Sequence, residues 1–364
     1  MFYEFYFLFF FLLLLAITDI RDSCSKSLAM AVSFFCLSLF AGFRYLVPDY
    51  GNYVEIFSLI PENTNTSIEE LKQIHGEYGY LLLNFIIKYL GGNFLIVAVI
   101  VSTLSVFLNL RVISKLSIFP LLSVIFYFGH LFINKELILL RTGLASSIVL
   151  FGIYLFIQRK SYISLLSCIF VAATFHLAAL VALLLPIVIR LTISNRMLLL
   201  IALFFFVFAT FHLYPTGLIL SLFGSLGLVP DSLALYINHD VYNYEIGSFN
   251  LKTVQQLITA GLLFWFRELL RHKIIGFDVL LSAYILSTIV LLAFGDFAIM
   301  GARLATMLAN VEVILLPLLI LTFKARQRAI PYLVVVVFSL IMMSFNLGVG
   351  RLSSYENYLF DLFK

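Results

Sequence analysis

The sequence predicts an all-α polytopic integral membrane protein, and three features of it do so. Of its 364 residues, 63% are hydrophobic and only 12% are Asp, Glu, Lys or Arg. A soluble domain spends about a quarter of its residues on charge. The apolar residues also fall into long runs with short polar breaks, and the mean hydropathy reaches +1.09. No water-facing surface can be built from so little charge. The composition excludes a soluble enzyme, a disordered tail protein and a nucleic-acid binder, and leaves a chain surrounded by a lipid bilayer. A single membrane domain over 1–364 is expected.

The first run, 2–18, has no Lys or Arg before Arg21 and no small-residue cleavage site. It therefore reads as a retained span rather than a signal peptide. Span 27–43 follows, then a polar stretch from 44 to 77. The next run, 77–90, is short and two-faced, with Glu77, Tyr80, Leu81, Asn84 and Lys88 at helical spacing against an apolar face. That pattern suits a re-entrant or interfacial helix. Spans at 93–110, 117–133 and 142–157 come next. Residues 162–190 exceed one short span and are expected to form two helices, 162–175 and 176–190, meeting near Thr174, Phe175 and His176. A span at 197–212 leads to a second polar stretch. Spans at 253–266, 274–294, 304–323 and 329–347 complete a set of about twelve. Long outer loops are predicted at about 44–92 and 213–252. Cys24, Cys36 and Cys168 have no CxxC spacing and give neither a disulfide framework nor a zinc site.

Basic residues orient the spans. Tight loops holding Arg21/Lys26, Arg111/Lys115, Arg159/Lys160, Arg190/Arg196, Arg267/Arg271/Lys273 and Lys324/Arg326/Arg328 contain 14 of the 23 Lys and Arg. The acids crowd the other breaks. With the basic loops cytoplasmic, every span alternates and both termini lie outside.

This topology places Arg44, Asp49, Tyr53, Glu77, Lys135, Arg141, His176, Asp296 and Arg303 on the outer side. Basic residues there run against the positive-inside rule, so each needs an acid partner or a ligand. Arg44 can pair with Asp49, Arg141 with Glu136, and Arg303 with Asp296. The other reading is that these three guanidinium forks bind a phosphate bidentately, with Tyr53 offering a flat face to a sugar ring. His176 is either a satisfied structural residue or a general base, since an imidazole titrates near neutrality. Glu77 and Asp49 are its rivals as base. Glu312 is the one acid placed deep within a span. No phosphate-binding loop, metal-ligand spacing or nucleophile motif is present, so neither a metal nor a cofactor is expected.

Five segments carry a family resemblance: GFRYLVPDYGNYVEIF at 42–57, EYGYLLLNFIIKYL at 77–90, LLRTGLASSIVLFGIYLFIQRK at 139–160, ATFHLAALVALLLP at 173–186 and GARLATMLANVEVILLPLL at 301–319. In that order they resemble the EpsG/Wzy-type bacterial polysaccharide polymerases. Arg141 to Ala145 matches an R-x-x-x-A pattern. The family's H-x-S appears as His176-Leu177-Ala178, without the serine hydroxyl. The resemblance implies a GT-C-like glycosyltransferase architecture. It also implies a metal-independent enzyme that joins oligosaccharide repeat units carried on undecaprenyl diphosphate, at the periplasmic face of the bacterial inner membrane. Donor and acceptor are then both lipid-linked, and a chain-length regulator and a flippase are implied partners. His176, Glu77 or Asp49 supplies the base, while Arg44, Arg141, Arg303, Tyr53 and Lys135 hold substrate. The alternatives are a lipid-linked oligosaccharide flippase or transporter, and an O-antigen ligase. A transporter predicts repeated halves and charges at several depths, and no half of this sequence repeats the other.

Overall fold

Each apolar run contains helix in the computed structural model, which describes residues 2–20, 23–61, 74, 76–218, 221, 244–245, 247–348, 352 and 354–361. Parts of both predicted outer loops, 62–73 and 222–243, lie outside the described residues. In chain order the helices begin with α1 (Tyr3–Ala16), α2 (Ser23–Gly42), α3 (Tyr50–Leu59), α4 (Tyr78–Tyr89) and α5 (Phe94–Leu116). Helix α6 (Pro120–Phe126) continues as a π-helix over Tyr127–Ile138, followed by α7 (Leu140–Arg159) and α8 (Tyr162–Ala173). The helix then stops, and a 3-10 segment over Leu177–Leu183 leads into α9 (Leu184–Arg190). The break expected at Thr174–His176 is present. Next come α10 (Asn195–Thr210), α11 (Leu251–Trp265), α12 (Phe277–Ala293), α13 (Ala298–Ala309), α14 (Glu312–Leu318) and α15 (Ala329–Gly348).

Among the described residues, five helices are long and apolar enough to cross a membrane, or six if α13 and the stretch Glu312–Thr322 form one broken span. Hydropathy counted about twelve. The difference lies in length: α8 has 12 residues, which rise about 18 Å against a hydrocarbon core of about 30 Å. Run 304–323 is not one helix. Helix α13 ends at Ala309 and α14 restarts at Glu312, so Glu312 stands at a helix start, at the break between the two halves of that pair. Asn310 and Glu312 are both buried at the break. Pro317 has no N–H to continue the ladder, and the chain tightens to 3-10 geometry at Leu319–Thr322.

The chain divides into two compact units, residues 1–179 with 316–364, and residues 180–315. In the first, α5 packs on α2 and on α7, α8 runs along α7, and α15 lies against the π-helix. A two-stranded antiparallel ladder pairs β1 (Arg44–Tyr45) with β2 (Glu356–Asn357) and ties the C-terminal segment to the end of α2. In the second unit, α12 packs against α10, α11 and α13. Helix α4 buries Tyr80, Leu81, Asn84 and Ile87, while Tyr78, Leu82, Ile86 and Tyr89 are exposed. Its apolar residues thus face outward and its mixed face inward, as expected of a short helix at a lipid boundary.

Candidate active site

Glu77 is the N-cap residue of α4, but its side chain makes no cap bond. It is free to reach elsewhere because the backbone satisfies the helix start another way. The Gly79 N–H donates to the Thr174 carbonyl at 2.8 Å, so the first turn of α4 sits on the end of α8. Only glycine allows this approach: a Cβ at position 79 would lie 2.3 Å from Thr174 Oγ1 and 2.9 Å from its carbonyl oxygen. The contact delivers Glu77 to the residues that follow the break. His176 Nδ1 lies 2.8 Å from Glu77 Oε1, and the Leu177 N–H donates to the same oxygen at 3.3 Å.

The second carboxylate oxygen, Oε2, accepts from Arg141 Nη1 at 2.6 Å. Arg141 is the second residue of α7. Gly143, two residues on, lets α7 press against the π-helix, since a Cβ there would stand 2.2 Å from the Lys135 carbonyl oxygen. The Arg141 guanidinium carbon lies 5.8 Å from the centre of the Tyr53 ring and 5.6 Å from that of Tyr80. Two tyrosine faces therefore shelve the cation.

Burial raises the Glu77 carboxyl, but the His176 hydrogen bond and the Arg141 charge outweigh it and hold the group at about 2. Facing a carboxylate, His176 Nδ1 is the protonated nitrogen. Nε2 is buried and has no hydrogen-bond partner among the described residues. The arrangement is an imidazole whose tautomer a carboxylate fixes, beside a guanidinium with further N–H donors to offer an anion.

The other predicted residues are placed differently. Arg44 is 2% exposed and turns inward. Its Nε donates to the Leu137 carbonyl at 2.7 Å, and its Nη1 donates to Ser102 Oγ at 2.9 Å and to the Ala41 carbonyl. It serves carbonyls left over at the ends of α2 and the π-helix. Pairing with Asp49 is not found; that residue is exposed and takes a 3.4 Å contact from Asn52 Nδ2. Tyr53 is buried beneath Arg141, so its face supports the guanidinium. Lys135 is buried in the π-helix, its charge near Glu136.

Arg141 does not pair with Glu136, because Leu139 leaves helical geometry and separates their helices. Glu136 instead accepts from Tyr127 at 2.6 Å and Ser105 at 2.9 Å. Ser147 joins Ser105 at 2.8 Å, and Asn109 donates to Ser147 at 2.6 Å. Sequence reasoning missed this buried network, although one acid amid Ser, Asn and Tyr on three neighbouring apolar runs was a readable signal.

In the second unit, Arg303 is half-buried on α13. Its expected partner, Asp296, accepts from Thr216 Oγ1 at 2.5 Å. Glu312 accepts from Gln255. Among the described residues, no group of three His, Cys, Asp or Glu gathers to hold a metal ion.

The fold and this cluster define a class: a helical membrane protein with a carboxylate-oriented histidine beside a shelved arginine. Residues 27–360 match the model of the EpsG family, and the chain belongs to that family. It is similar to the amylovoran biosynthesis protein AmsC of Erwinia amylovora. The two are 27% identical over 304 residues, which cover 80% of this chain and 79% of that protein. No solved structure matches the chain.

Proposed function

We propose that the chain is a polysaccharide polymerase. In this reading it is a membrane glycosyltransferase that joins oligosaccharide repeat units carried on undecaprenyl diphosphate, at the periplasmic face of the bacterial inner membrane. Membership of the EpsG family and the relative's part in amylovoran biosynthesis support it. The observation that carries the mechanism is the His176 ring, with Nδ1 on Glu77 at 2.8 Å and Nε2 unpartnered among the described residues.

An acceptor hydroxyl of one lipid-linked unit attacks the anomeric carbon of the donor glycan. Its proton passes to His176 Nε2 as the new C–O bond forms. The bond from that carbon to the diphosphate breaks, and the leaving lipid diphosphate takes the electron pair. Arg141 holds the charge that develops there, because its guanidinium keeps N–H donors beyond the one given to Glu77. Glu77 is the positioning residue: a carboxylate held at about 2 is a poor base near neutrality, but it aligns the imidazole through Nδ1 and faces the charge that the ring carries after transfer. Arg44 supports the frame, since its Nε and Nη1 are committed to the protein's own oxygens. Arg303 and Lys135 are the further cations of this reading, and Asp49 the further acid.

Deleting the chain from its host tests the activity class. Loss of a polymerase leaves single-repeat caps on the acceptor, loss of a ligase leaves no caps, and loss of a flippase traps lipid-linked repeats inside. Single-repeat caps are expected, and either other pattern overturns the proposal.

A further inference from the structure

A cavity of roughly 470 Å³ in the second unit is lined by residues from the α9–α10 turn and from the α11–α12 connection. Three arginines face it: Arg196, Arg267 and Arg271. Two acids line it as well, and the geometry shows how little of the positive charge they hold. Arg271 spans Glu268 at 3.4 Å and Asp278 at 3.3 Å, long beside the roughly 2.7–2.9 Å of a firm charge-assisted bond. Arg267 donates to Glu268 at 3.1 Å and lies over the Phe264 ring at 4.3 Å. Arg196 makes no ion pair among the described residues. Over 190–196 and 267–278 the chain carries five Arg and Lys against two acids. The site is cationic even with both carboxylates ionised.

Such a cluster fits a phosphate, and the exposed side chains that adjoin Arg267 and Arg271 in sequence indicate where that phosphate comes from. Trp265, the single tryptophan of the chain, is 80% exposed beside Arg267, and Leu269 and Ile275 are exposed nearby. An exposed tryptophan next to arginines marks the water–lipid boundary. A free anion has no use for exposed apolar side chains beside its arginines, whereas acyl chains do. We propose that this cavity binds the phosphodiester of an anionic phospholipid, with Arg196 and Arg271 on the phosphate oxygens and the acyl chains along the exposed apolar side chains. A zwitterionic lipid brings its own cation and gains less from the cluster.

Native mass spectrometry of the purified full chain tests this, with phosphatidylglycerol and phosphatidylcholine as probes. Wild-type protein should retain phosphatidylglycerol over phosphatidylcholine. Each arginine near a lipid surface contributes about fivefold, so Arg196→Gln with Arg271→Gln should lower phosphatidylglycerol retention about 25-fold. Glu268→Gln removes a competing carboxylate and should raise it, an outcome that does not depend on the double variant folding well. Equal retention of the two lipids by wild type overturns the proposal. So does unchanged retention in the double variant, or no gain in Glu268→Gln. Displacement of phosphatidylglycerol by millimolar inorganic phosphate would make this a site for a free anion and overturn the lipid assignment.

Discussion

Replacing Glu77 by Gln keeps the side chain's shape and removes the charge that faces Arg141 at 2.6 Å and His176 at 2.8 Å. The side chain is 20% exposed, so water replaces little of what is lost. The carboxyl is held at about 2 against an ordinary 4.5. That difference corresponds to about 3 kcal/mol of folding stability at neutral pH, within reach of the roughly 3–5 kcal/mol for breaking a buried pair. Because the folded pKa lies below the unfolded one, this stabilisation is complete above about pH 4.5 and is lost as pH falls toward 2. By pH 3 less than half of it should be left. The assay is loss of the far-ultraviolet helical signal in denaturant, for purified wild type and Glu77→Gln in detergent. The gap between them should be about 3 kcal/mol at pH 7 and close as pH falls. A gap as wide at pH 3 as at pH 7 refutes the ion-pair reasoning.

Further outcomes follow from single contacts. Gly79→Ala drives a Cβ into Thr174 and should cost about 1–3 kcal/mol, with loss of polymer, measured by unfolding and by product ladders. Arg141→Lys keeps the charge but loses the planar fork and its tyrosine shelf; polymer yield should fall at least about tenfold with protein level unchanged. Arg44→Lys forfeits buried bonds to Leu137 and Ser102. It should lower the unfolding midpoint while leaving KM for the lipid-linked unit unchanged, the split expected of a frame residue.

Much of this was legible in the sequence. Apolar runs marked where helix would form, and the excess length of 162–190 marked the break at Thr174-Phe175-His176 after α8. The periodicity of 77–90 separated α4 from the spans. Glu77, Arg141 and His176 were each legible as candidates, because charge on the side that the basic loops predict to be outer needs a reason. Their joining was not. Glu77 is 64 residues from Arg141 and 99 from His176, and the contact that unites them depends on a missing Cβ at Gly79. Hydropathy cannot register that. Local pairings failed for a related reason: Arg44 with Asp49, and Arg141 with Glu136, are near in sequence but separated by irregular backbone. Asp49 and Leu139 both leave helical geometry. A hydropathy window also reads Asn310 and Glu312 as minor interruptions, whereas a buried acid and amide at one point stop a helix.

The proposed proton transfer ends on one nitrogen, His176 Nε2. Transfer measured in a single turnover, with purified protein and a saturating undecaprenyl-diphosphate-linked repeat unit, tests it most directly. His176→Ala should reduce the rate by about 10²–10⁴-fold while the lipid-linked unit still binds, and His176→Gln should not restore it. If His176→Ala transfers at the wild-type rate while Glu77→Gln is inactive, the proton goes to Glu77 and the assignment of His176 as base is wrong.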